Sequence, residues 1–149
     1  MKLLTEHRQY IYSPCEVVWN ETIDIESWPE WAPTINKVQR LDSGPFGLGS
    51  LAKLKQPAQP ETVWKVTEFS DGSYFAWEAT VRGIHMRGGH LVLPTGAGCT
   101  SHMTIHVSGL MATILGPLIR KPIANAIKME NRGLKSWCEA ASVIGQKEG

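Results

Sequence analysis

Between Leu115 and Ile144 the chain carries a helical stripe long enough to cross a whole small domain, and the rest of the fold must accommodate it. Leu115, Ile119, Ile123, Ala126, Ile127, Leu134, Trp137, Ala141 and Ile144 recur at helical spacing and so stack on one face of an α-helix. Lys121, Asn125, Lys128, Arg132, Lys135 and Glu139 fall on the opposite face. Pro117 and Pro122 predict a separate or kinked turn over Leu115 to Lys121, with the continuous helix starting near Pro122. From there to Ile144 the rod is roughly 35 Å long, and something must cover its apolar side.

Upstream of this stripe the period is mostly extended. Thr5 to Tyr12 reads as a first strand. Ser13-Pro14-Cys15-Glu16 follows it with the S-x-x-E pattern of a capping box, Pro14 standing at the first helical position of a short helix that reaches about Asp24 or Ile25. Ser27 is placed to cap a second short helix holding Trp28 and Trp31, an aromatic pair on one face, and Pro33 ends it. Ile35 to Leu41, Ser50 to Gln56, Thr62 to Phe69, Tyr74 to Val81, Ile84 to Leu93 and Thr100 to Val107 then alternate with short turn segments. Connections this short join antiparallel neighbours. The expected fold is α+β: a curved seven-stranded antiparallel sheet, two short helices after strand 1, and the long C-terminal helix across the sheet, in a single domain over 1–149. A curled sheet is wider than one helix, so a cavity open at one end is the expected by-product.

Several function classes drop out on composition. The formal charge is +1, with no basic face for nucleic acid. The N-terminal residues turn polar too early for a signal peptide, and no run is long enough for a membrane span. Cys15, Cys99 and Cys138 are odd in number and far apart, which predicts free thiols and a cytoplasmic protein. Neither a zinc-ligand spacing nor a G-x-S-x-G elbow occurs, and Gly44 to Ser50 lacks the lysine of a phosphate loop, so no metal or cofactor is expected.

Several local motifs keep their order along nearly the whole chain. They are Ile11-Tyr12-Ser13-Pro14 with Val18-Trp19, Trp28-Pro29-Glu30-Trp31, Gly44 to Ser50, and Trp64-Lys65-Val66-Thr67-Glu68-Phe69. Phe75-Ala76-Trp77, Leu93-Pro94 leading to Gly98-Cys99-Thr100, and Leu134 to Glu139 complete the set. In this order the sequence resembles the START and polyketide-cyclase superfamily (SRPBCC). That resemblance implies the helix-grip fold and a pocket between sheet and last helix for lipids, sterols, polyketides, quinones or other apolar molecules. Members divide among cyclisation or dehydration, ligand carriage and protein-partner roles, and the fold does not choose between them.

Candidate chemistry centres on the last hairpin. With its turn centred at Gly96, His90 lies opposite His102 and Met86 opposite His106. Alternation then puts the more apolar set, Leu91, Leu93, Met103, Ile105 and Val107, inward, and leaves His90, His102 and His106 mainly in solvent. The same phase sends His85 and Arg87 inward, where Arg87 is suited to bind a carboxylate or polarise a carbonyl. A bulge at Gly88-Gly89 would reverse that phase and bring Met86 in. His7 and Gln9 share a face with Ile11, at the pocket or its edge. Glu130 interrupts the long stripe; a surface position is expected for it, and only burial would raise its pKa into acid–base range.

These residues support three readings. The first is a binding protein for a small hydrophobic or amphiphilic molecule, held by Trp31, Trp64, Trp77, Arg87, Met103, Ile119, Ile123 and Ile127. A second is a cyclase or dehydratase using Arg87, His85 or Glu130. Last comes a partner-binding module acting through the tryptophan-bearing helices, and an exposed edge strand or tryptophan lid leaves a homodimer open.

Overall fold

The computed structural model describes the backbone of residues 1–57 and 59–148 and the side chains of residues 1–57 and 59–141. The strands are β1 (Lys2–Ile11), β2 (Lys37–Arg40), β3 (Leu51–Lys55), β4 (Thr62–Ser70), β5 (Tyr74–Val81), β6 (Ile84–Thr95) and β7 (Gly98–Ser108). After β1 come helix α1 (Cys15–Ile23) and a 3-10 helix, Ile25–Glu30; helix α2 (Leu110–Glu148) follows β7. All seven strands form one antiparallel sheet in the order β1-β7-β6-β5-β4-β3-β2. The first strand therefore closes beside the last, and β1 and β2 are the sheet edges.

Three local expectations shift. Helix α1 starts at Cys15 with Pro14 in the capping position, one residue later than the sequence pattern suggested, and Pro14 contributes no side-chain cap. The 3-10 helix begins at Ile25, ahead of Ser27, whose hydroxyl donates to Asp24 Oδ2 at 2.8 Å. Helix α2 is continuous through both prolines. Each proline ring removes one amide donor and so frees the carbonyl four residues earlier, on Thr113 and Leu118. Both residues are exposed, so water can satisfy those carbonyls and the helix need not end.

The C-terminal half of α2 is fastened to the sheet. Leu134 and Cys138 are fully buried in the main core with Ile11, Val18, Phe75, Val92 and Cys99. Trp137 Nε1 donates to Glu21 Oε2 at 2.8 Å, tying α2 to α1. Asn131, at 0% exposure, turns its amide nitrogen toward the carbonyls of His7 at 3.2 Å and Ser101 at 3.0 Å, and toward His7 Nδ1 at 3.0 Å. One side chain thus bridges β1, β7 and α2 with hydrogen bonds that burial makes costly to lose. At Gly133 a Cβ would lie 1.9 Å from the Trp31 carbonyl oxygen, so only glycine lets α2 approach the end of the 3-10 helix this closely. The side chain of Ile144 lies outside the described residues.

The expectation of three free thiols is overturned: Cys15 and Cys99 form a disulfide, and Cys138 remains free and buried. These two cysteines are 84 residues apart in sequence, yet pairing of β7 with β1 brings the start of β7 beside the start of α1, with a Cα–Cα distance of 5.2 Å. The inference to a cytoplasmic, reducing compartment loses its basis with them. Among the described residues, no helix is long and apolar enough to cross a membrane.

Candidate functional site: a cavity between sheet and helix

Because α2 lies against β1, β6 and β7 rather than across the whole curved sheet, space is left beside its N-terminal half. A cavity of about 470 Å³ occupies it. Its sheet wall includes Leu54, Trp64, Trp77, Ile84, Met86 and Met103, and its helix wall includes Leu115, Ile119, Ile123 and Ile127. Arg82, Pro57 and Leu118 border the cavity and are exposed, which marks them as its rim. Leu118 is 74% exposed. Arg82 holds a positive φ of 52° in the tight β5–β6 turn.

The inner face of β6 is the reverse of the one expected. Thr95 pairs with Gly98, so the hairpin turn contains only Gly96 and Ala97, with Gly96 at a φ of 56°. Glycine at the first central position is what a two-residue type II′ turn requires. The register is therefore offset by one residue from the expected one, and His90 faces Met103 rather than His102. A one-residue offset moves a strand's whole side-chain set to the other face. In β7, Met103 and Val107 stay buried as expected, whereas in β6 the buried positions include Ile84, His90 and Val92.

His85 and Arg87 are consequently on the outer face. His85 Nε2 lies 2.6 Å from Glu78 Oε1, and Arg87 Nη1 lies 3.4 Å from Glu68 Oε1. Neither borders the cavity. Trp31 does not border it either: its ring packs 5.9 Å from that of Trp28, which does. Leu93 is 45% exposed rather than inward. His102 and His106 stay on the outer side, His102 with Nε2 3.4 Å from Glu6 Oε2. His7 is held by Asn131 away from the cavity. Trp64, Trp77, Met103, Ile119, Ile123 and Ile127 all border the cavity.

Gln56, Gln59, Thr62, Arg82 and Thr104 also border the cavity, together with Thr34, His90 and Glu130. Glu130, expected at the surface, borders the cavity, and burial raises its carboxyl from 4.5 to about 7. The Thr34 hydroxyl, 2.9 Å from Glu130 Oε1, opposes that rise. His90 is buried between Phe75, whose ring stacks on it at 4.6 Å, and Trp28 at 5.3 Å. Burial lowers its imidazole to about 4, so it is neutral near pH 7. Its Nδ1 is enclosed without a hydrogen-bond partner. Thr34 was missed as a site residue, although it follows the expected helix stop at Pro33, and His90, a candidate in the last hairpin, was expected mainly in solvent rather than on this wall. Among the described residues no group of His, Cys, Asp and Glu side chains is arranged to hold a metal ion.

Residues 5–139 match the family model described as polyketide cyclase / dehydrase and lipid transport. The chain belongs to that family. Its helix-grip fold is shared by the di-domain ARO/CYC StfQ of the steffimycin biosynthetic pathway, at a TM-score of 0.78 and 10% identity over 93% of this chain. The chain spans about half of StfQ, 51% of its length. TTHA0849 from Thermus thermophilus matches at a TM-score of 0.75 and 18% identity, over 93% of this chain and 98% of its own. A START superfamily protein from Mycobacterium smegmatis gives 0.71 and 14%, over 92% of this chain and 97% of its own. No curated protein matches in sequence. At these identities the likeness is one of fold, and family membership leaves the chemistry to this chain's own cavity.

Proposed function

We propose that this family member binds a small hydrophobic or amphiphilic molecule in the cavity between the sheet and α2. The observation that carries this reading is the 470 Å³ cavity itself, walled mainly by tryptophan, methionine and aliphatic side chains with polar groups interspersed. Sites for small apolar ligands have this composition, area burial supplying affinity and isolated polar groups supplying orientation. Native mass spectrometry of the purified protein tests it: a bound apolar molecule, or uptake of added fluorene, is expected. A protein that carries nothing and takes up no fluorene sinks the reading.

A second reading, catalysis of the cyclase or dehydratase type, rests on Glu130 alone among His85, Arg87 and Glu130. Its carboxyl, near neutrality in pKa and bordering the same cavity, is suited to give or take a proton. Loss of turnover in Glu130→Gln, with ligand uptake retained, is the result this reading requires. The partner-binding reading has less support, because Trp28 and Trp31 are 3% and 7% exposed and present no ring surface to a partner.

A further inference from the structure

On the sheet wall of the cavity, the cross-strand neighbour of Trp77 is Gly88, and two residues further along β6 on the same face stands His90. The Trp77 and His90 rings meet nearly edge to face, with centroids 6.3 Å apart and planes at 85°. A Cβ on residue 88 would lie 3.3 Å from Trp77 Nε1, so glycine is what leaves the space beside the indole nitrogen open. Trp77 is 3% exposed, and its N–H has no hydrogen-bond partner among the described residues. Indole nitrogen is a donor only. For His90, the tautomer protonated on Nε2 avoids enclosing an unpaired donor at Nδ1, and it makes the imidazole a second donor.

We infer that Trp77 and His90, with the gap at Gly88, form an oxygen-acceptor subsite that selects apolar ring ligands bearing a carbonyl. This rests on the binding reading above and specifies its ligand chemistry. A carbonyl oxygen has two lone pairs and no proton, matching donors from two adjacent rings that border one cavity, whereas a hydrocarbon leaves both donors unpaired. An ammonium group is disfavoured, because neither donor accepts a hydrogen bond from it. The neutral state of His90 at pH 7 agrees with a ligand that brings no negative charge.

Fluorene and 9-fluorenone share one tricyclic frame and differ at the carbonyl, so their affinities isolate the subsite. Titration of the full chain should show 9-fluorenone bound about ten-fold tighter than fluorene, the effect of satisfying a buried donor. The fluorenone carbonyl stretch should move to lower frequency in the complex. In Gly88→Ala and in His90→Phe the preference should shrink toward unity and the band should move back. Equal affinities with an unshifted band in the wild-type protein overturn the subsite and leave the cavity reading standing. Failure of both probes to bind overturns the cavity reading and the subsite with it. The wild-type infrared band decides the matter even if a variant does not fold.

Discussion

The Thr34 hydroxyl donates to Glu130 Oε1 at 2.9 Å, joining residues 96 apart in the chain at the cavity wall. Thr34 precedes β2 and Glu130 lies near the middle of α2, so this bond exists only when α2 is seated over the sheet. It also fixes the one carboxyl among the described cavity residues.

Glu130 and His90 should give stability opposite dependences on pH. The folded pKa of Glu130 is raised from 4.5 to about 7, so the folded state holds the proton more tightly and stability falls as pH rises through that window. His90 is lowered from 6.5 to about 4, so its contribution is full above pH 6.5 and is lost as pH falls toward 4. In the wild type the two slopes oppose each other. Urea denaturation between about pH 5 and pH 8, a range that overlaps both shifts, should show Glu130→Gln losing stability toward acid and His90→Phe losing it toward base. Parallel profiles for both variants would contradict these assignments.

Gly133→Ala should destabilise the protein by about 1–3 kcal/mol, although alanine is the better helix former by about 1 kcal/mol. The added methyl meets the Trp31 carbonyl, and the backbone of either α2 or the 3-10 helix must shift. Chemical denaturation measures the loss. A stabilised variant would mean that the two helices are not in this close contact.

Filling the cavity should separate binding from folding. Ile123→Trp places an indole against the helix wall, and fluorene affinity should fall at least about ten-fold while far-ultraviolet circular dichroism stays that of the wild type. Ile123 is only partly buried and borders the cavity, so the larger ring has space to enter. Unchanged affinity would place the ligand elsewhere.

Reduction of Cys15–Cys99 should lower stability by about 4.5 kcal/mol in the chain-entropy account, given the 84-residue separation. Thiol titration of the unreduced protein should find one reactive group, Cys138, and only after unfolding. Burial pushes the Cys138 thiol up to about 12, with Glu21 and Glu139 adding to the rise. Three reactive thiols in the denatured, unreduced chain would remove the bond.

The sheet, its strand count and the long C-terminal helix were all legible in the sequence. Their signals are local: alternation, turn residues between short strands, and a stripe whose C-terminal part carries Leu134 and Trp137. The site was legible only in part. Met103 and the three isoleucines border the cavity because β7 and α2 have faces that their own periodicity marks as apolar, and Trp64 and Trp77 join them from β4 and β5. The inner face of β6 was not readable, since Ile84, Met86 and Val92 compete with Leu91 and Leu93 for the inward phase, and glycines at 88 and 89 carry no side-chain signal.

Periodicity and turn chemistry thus determined the helix-grip architecture, because each element's pattern acts over a few residues and needs no distant partner. Tertiary structure decided the chemistry of the cavity. A two-residue turn at Gly96 and Ala97 set the register that turned His90 in and Arg87 out. The seating of α2 enclosed Glu130 beside Thr34, and the closure of β7 against β1 brought Cys99 to Cys15. Each outcome depends on contacts between residues far apart in the chain, where a shift of one position reverses what faces the cavity.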